Sequence, residues 1–195
     1  MQLQDQILEE SRKLLIKEGF SRLSMRRIAK KVGVSATSIY LHFKNKDELL
    51  LTLIDQSIDS LIRNLEKAVA AGSDPIQKLE MAGRGYLNFA ISHPQEYEII
   101  FLVRPEEMPK YPQEKFQNIR RGYELMAGII EEGVEKDFIK EENPLLAAYT
   151  IWSQLHGAVS VILNQRLDTR IDREKFLKHA LEHSIDGFVS RKIKV

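Results

Sequence analysis

From Arg22 to Lys46 the chain carries Arg22, Arg26, Arg27, Lys30, Lys31, Lys44 and Lys46, and not one carboxylate. A run of cations without counter-charges suits a polyanion partner. The asymmetry is local. Residues 1–47 hold ten basic against five acidic side chains, the rest of the chain holds nineteen against twenty-three, and the whole balances at +1. Two other groupings invite chemistry. Trp152 and His156 stand four apart, on one face of a helix. His179 and His183 repeat that spacing with Glu182 between them, a geometry able to hold a metal ion. No third ligand is evident there, so neither a metal nor another cofactor is expected. The chain has no cysteine, which excludes disulfides, thiolate metal sites and cysteine nucleophiles. Gly83-Arg84-Gly85 lacks the surroundings of a phosphate loop, and no nucleophile–base pair can be inferred. An enzyme is not expected.

The elements that must position these groups read almost everywhere at helical period. Leu3, Ile7, Ser11, Leu14 and Leu15 share one stripe that stops near Gly19. Ser24 can cap a second helix closed by Gly33, and Ser35 a third running to about His42. Asn45, with Glu48 three residues on, resembles a capping box opening a long fourth helix. Asp74-Pro75 opens a fifth that ends before Pro94, and a short helix is expected over 96–103. The three prolines of 104–112 predict an irregular loop, followed by helix to about Asp137. Asn143 and Asp172 open the last two helices. The fold class is therefore all-α with about nine helices, divided functionally into 1–47 and 48–195. The first twenty residues mix Asp5, Glu9, Glu10 and Glu18 into the apolar positions, unlike a secretory signal. No uninterrupted apolar run approaches the ~20 residues of a membrane span, and a cytoplasmic protein is the default expectation.

Two short helices joined by a tight glycine turn, after a longer first one, describe a helix-turn-helix. Ile28 and Ala29 must then face inward, Gly33 must supply the turn's positive φ, and Val34 and Ile39 must seat the third helix. That leaves Ala36, Thr37, Ser38, Leu41 and His42 outward or at the edge, mostly short side chains that let a helix lie deep in a major groove.

The stretch from Ser24 to Ser35, continued by Thr37-Ser38-Ile39-Tyr40-Leu41-His42-Phe43-Lys44-Asn45-Lys46-Asp47-Glu48-Leu49-Leu50, closely resembles the signature of the TetR family. That signature couples a helix-turn-helix to a Tyr-x-x-Phe step and a lysine opening the fourth helix. The resemblance implies double-stranded DNA as partner and a role for each matching position. Arg26 would read a guanine edge through O6 and N7. Ser35, Ala36, Thr37 and Ser38 begin the recognition helix, where Ala36, Thr37 and Ser38 would face base edges. Tyr40, His42 and Lys46 would hold phosphates, and Ser24 adds a hydroxyl. Leu41 departs from relatives that place an aromatic or polar phosphate ligand there, and predicts an apolar sugar contact or none.

Beyond the fourth helix the family builds a divergent ligand-binding and dimerisation domain. Tyr86, Phe89, Tyr97, Phe101, Phe116, Tyr123 and Met126 are spaced so that they could line one cavity, or equally fill ordinary core. Trp152 and His156, followed by Gly157, resemble a Trp-x-x-x-His-Gly motif of one C-terminal subgroup and join the candidate ligand contacts. The resemblance also implies a homodimer through the eighth and ninth helices. Its expected interface residues are Ala148, Ile151, Leu155, Val159, Ile162, Phe176, Ala180, Ile185 and Phe188. The function implied is a sequence-specific repressor, released from a palindromic operator by a small, largely apolar ligand. A family member controlled by a protein partner, or constitutive, is the alternative, and an all-α enzyme a remote one.

Overall fold

The helix starts expected from cap residues are made by those residues' own side chains. Ser24 accepts from Arg27 N, Ser35 from Ser38 N, Asp74 from Gln77 N, Asn143 from Leu146 N and Asp172 from Lys175 N. In a computed structural model these caps open helices at the expected places. The structure describes residues 2–101 and 116–188, except the side chains of Phe20, Phe116 and Gln117. Among the described residues there are nine α-helices and no strand. They are α1 (Leu3–Glu18), α2 (Met25–Val32), α3 (Ala36–Tyr40), α4 (Lys46–Val69), α5 (Pro75–Ser92), α6 (Pro94–Phe101), α7 (Phe116–Glu135), α8 (Pro144–Leu163) and α9 (Arg173–Asp186). A 3₁₀ turn, Phe20–Arg22, follows α1 and had no sequence signal.

Two helices depart from the expected bounds, and one cap departs from the expected pattern. The third helix ends at Tyr40, because the amides of His42 and Phe43 both turn back to the Ile39 carbonyl, at 3.0 Å each. At α4, Asn45 accepts from Glu48 N at 2.8 Å, but the Glu48 carboxylate returns to Lys44 N at 2.6 Å, one residue before the reciprocal partner of a capping box. The short helix runs Pro94–Phe101. The loop expected over 104–112 lies outside the described residues, as does the side chain of Phe116.

The chain forms two compact units, which divide α4 after Asp59. The first contains α1 to α3, the start of α4, and α6. Its core holds Ile7, Leu14, Leu15, Ile28, Ala29, Ile39, Phe43, Leu49, Leu50 and Leu53. Arg12 of α1 ties this unit together: its guanidinium donates to Glu96 of α6 at 3.2 Å and to Gln56 of α4 at 3.3 Å.

In the second unit α5, α8 and α9 pack together. Glycine lets them approach: a Cβ on Gly83 of α5 would overlap Leu181 of α9 and sit 3.4 Å from Leu155 of α8. The stripe of Ala148, Ile151, Leu155, Val159 and Ile162 is buried in this core, as is Ile185 of α9. These residues are therefore not the dimer surface expected from the sequence. They were the most apolar of α8, and the subunit's own interior uses them first. Phe176, Ala180 and Phe188 are half-buried. By length and composition alone α8 could cross a membrane, although Ser153, Gln154 and His156 interrupt its apolar run. Its inward face packs against α5 and α9, while Leu145, Leu146 and Tyr149 are exposed.

Gly33 closes α2 at φ 81°, ψ 28°, and a Cβ there would meet nothing within 4 Å. The cost of any other residue is therefore backbone strain alone, about 1–2 kcal/mol for the left-handed region. Gly33→Ala should lower stability by that amount in chemical denaturation, and Gly33→Asn by less. Equal stability of Gly33→Ala and the parent would show that the turn does not depend on this conformation.

Candidate functional site

The outer face of α3 is defined by what its inner face does. Ile39 and Phe43 are buried in the core of the first unit, which forces the opposite side outward. Thr37, Tyr40, Leu41 and His42 are exposed, Tyr40 at 52% and Leu41 at 82%, while Ala36 and Ser38 are half-buried. The serines have structural duties as well. Ser24 and Ser35 accept amide protons as caps, and the hydroxyls of Ser35 and Ser38 lie 2.8 Å apart. Lys46 is half-buried at the first residue of α4.

The two adjacent arginines of α2 have different surroundings. Arg27 donates to Glu18 of α1 at 2.8 Å and to the Arg22 carbonyl at 3.0 Å. Its hydrogen bond holds the Glu18 carboxyl below the usual carboxylate range. Arg26 is exposed and makes no ion pair among the described residues. Arg27 thus fastens α2 to α1 and the 3₁₀ turn, and Arg26 takes no part in that lock. Sequence reasoning missed the Arg27 lock, because the nine residues separating it from Glu18 carry no periodic signal.

The second unit gathers part of the aromatic set. The rings of Tyr123 and Trp152 meet edge to face at 5.3 Å, and Trp152 stacks on His156 at 5.0 Å. The phenol of Tyr86 lies 3.2 Å from His156 Nδ1. Tyr149, which sequence reasoning passed over, stacks on Tyr123 at 4.1 Å, although its place three residues before Trp152 marks the same helix face. Tyr86, Phe89, Tyr123 and Met126 are buried, and Phe89 stacks on His93 at 5.2 Å. Trp152 and His156 are half-buried. Tyr97 and Phe101 form a separate pair in the first unit at 4.8 Å, with Tyr97 fully buried. Burial lowers the pKa of His156, which favours the neutral ring. His179 and His183 touch edge to face at 4.1 Å, and no group of three or more metal-ligating side chains occurs among the described residues.

Residues 7–53 match the family profile described as bacterial regulatory proteins, tetR family, and residues 79–184 match a tetracyclin repressor-like C-terminal domain. The chain belongs to the TetR family. It is accordingly a DNA-binding regulator of transcription and not an enzyme. Among curated relatives, the fatty acid metabolism regulator protein of Bacillus subtilis is 24% identical over 185 residues, 93% of each chain. Among solved structures, a protein of unknown function from Rhodococcus sp. RHA1 is similar with a TM-score of 0.84 at 21% identity, covering 97% of each chain. The FadR regulator of Bacillus subtilis, solved in complex with stearoyl-CoA, is similar with a TM-score of 0.76 at 22% identity, covering 94% of this chain and 98% of that one.

In this TetR-family chain the Trp152–His156 spacing is a stacked pair, and its imidazole supplies a pH test. Folded His156 protonates at lower pH than an unfolded histidine, whose ordinary value is 6.5. The unfolded chain then binds more protons in that window, so stability is full above about pH 6.5 and falls as the pH drops toward the folded value. Thermal melts between pH 8 and 5 should show this loss, and His156→Gln should reduce it. An unchanged pH profile in the variant would place the proton uptake elsewhere.

Proposed function

We propose that this chain is a dimeric, cytoplasmic repressor that reads a palindromic operator through α2 and α3 and leaves it on binding a largely apolar ligand of the fatty acyl class. The observation that carries the reading is the outer face of α3. Thr37, Tyr40, Leu41 and His42 stand out from a closed core, beside Arg26, in a segment free of carboxylates. Arg26 reads a guanine, and Ala36, Thr37 and Ser38 meet base edges. Tyr40, His42 and Lys46 hold phosphates, assisted by the hydroxyls of Ser24 and Ser35. The functional division into a head, 1–47, and a body, 48–195, belongs to the same proposal.

The acyl class is suggested by the relatives, one named as a regulator of fatty acid metabolism and one solved with stearoyl-CoA. Without Tyr97 and Phe101, which belong to the first unit, the proposed contacts are Tyr86, Phe89, Tyr123, Met126, Trp152 and His156 of the second unit. They are apolar or aromatic apart from the phenol groups and the imidazole, as an alkyl chain with one polar end requires. Release follows from a population shift. Two heads must stand about 34–36 Å apart to enter successive major grooves. A ligand that favours another spacing dissociates the complex in proportion to its preference.

The dimer is proposed through α8 and α9, on the side turned away from the subunit core. Ser153, Gln154 and Gly157 are exposed there, and a Cβ on Gly157 would meet nothing within 4 Å in its own subunit. A second helix can approach closely along such a face.

Selection from a random duplex library at physiological salt should enrich a palindrome, and stearoyl-CoA should then release it. Salt-sensitive binding without enrichment would refute operator reading, and a complex indifferent to acyl-CoA would refute the ligand class. On the selected operator, Tyr40→Phe should weaken all sequences alike by about 1 kcal/mol. Arg26→Ala should instead abolish preference at one base pair, worth about 1–3 kcal/mol. A uniform loss in Arg26→Ala would contradict its base-reading role. Gly157→Arg should give a folded monomer in sedimentation, and a dimer would exclude this face.

A further inference from the structure

Leu41 is the most exposed of the large hydrophobic residues described, at 82%. A single exposed leucine is ordinary on a protein surface, so its position decides what it means. Its backbone is still right-handed helical, at φ −70° and ψ −23°, which extends the helical wheel of α3 through it. At about 100° per residue, Leu41 lies about 160° round that wheel from Ile39, which points into the core. Thr37 is about 40° away on the same side and one turn nearer the start of the helix. Leu41 therefore shares the face that carries the proposed base contact of Thr37, whereas Tyr40 is turned toward one flank.

A leucine offers nothing to a phosphate, having neither charge nor donor. In the major groove the apolar group available to it is the C5-methyl of thymine, the feature that distinguishes thymine's edge from the others. The surrounding cations supply general attraction to DNA, and Leu41 adds a contact of a different kind. We propose that Leu41 is a specificity residue that packs on a thymine methyl in each operator half-site. The inference rests on the DNA-reading role of α3 proposed above. It replaces the sugar contact expected from the sequence with a base contact.

The test uses the full-length dimer and the palindrome it selects, with each thymine replaced in turn by deoxyuridine. That exchange deletes the methyl and keeps the base-pairing edge. The wild type should lose about fourfold in affinity per half-site at one position, the value of one buried methyl group. Leu41→Ala should bind the unmodified palindrome more weakly by a similar factor and be indifferent to the replacement at that position. Its dependence on salt should match the wild type, since no phosphate contact is removed. Substitution at so exposed a site leaves the fold intact, which a thermal melt verifies. Unchanged affinity of Leu41→Ala would overturn the proposal. Equal losses on thymine and deoxyuridine duplexes would also overturn it, by indicating a sugar contact. Failure of the wild type to select any palindrome would instead remove the underlying reading of α3, and this inference with it.

Discussion

A five-residue helix has no stability of its own. Helix nucleation is unfavourable, and isolated helices shorter than about 12–15 residues are marginal in water. The recognition helix Ala36–Tyr40 exists because Ile39 and Phe43 are held in the core of the N-terminal unit. That burial fixes its rotation, and rotation decides which side chains meet an outside partner. Ser35 supplies the cap, with its oxygen 3.1 Å from Ser38 N. Gly33 sets the angle of approach with a left-handed backbone. Each outward residue of α3 inherits its direction from these few inward contacts.

The same logic separates the charges. A carboxylate-free run of cations would repel itself in a folded head, and the structure relieves part of that by giving Arg27 to Glu18. Arg26, Lys30 and Lys31 of α2 remain outward. Of two neighbouring arginines, one thus holds the frame and the other is left exposed outside it. The division is geometric, since they lie about 100° apart on the helix.

The sequence made the caps, the glycine turn and the buried stripe of α1 legible, because each is a local rule with a residue type attached. Ser24, Ser35, Asp74, Asn143 and Asp172 each act within three residues of themselves. Contacts between distant segments were less visible. The Arg12–Gln56–Glu96 cluster and the Arg27–Glu18 pair join residues with no periodic relation. The stripe of α8 shows a third case. Periodicity located Ile151, Leu155 and Val159 on one face but could not say whether that face met the same chain or another, and burial assigns it to the subunit core. The aromatic set was split for a similar reason. Spacing on one helix joined Trp152 to His156, while nothing in the sequence placed Tyr97 and Phe101 in the N-terminal unit.

That placement bears on how a regulator of this kind can respond. The helix α6 follows α5 after only His93, yet it belongs to the unit that holds the DNA-facing helix. Its Glu96 is engaged by Arg12 of α1, and the same guanidinium reaches Gln56 of α4. Arg12 Nε and Glu96 Oε2 are buried with no hydrogen-bond partner among the described residues. The ion pair is therefore single where a fork and a carboxylate could make a double one. The other arm of the guanidinium goes to Gln56 instead, so one side chain joins α1, α4 and α6. The contact is polar and directional, and it orients three helices of one unit beside an apolar core that is closed without it.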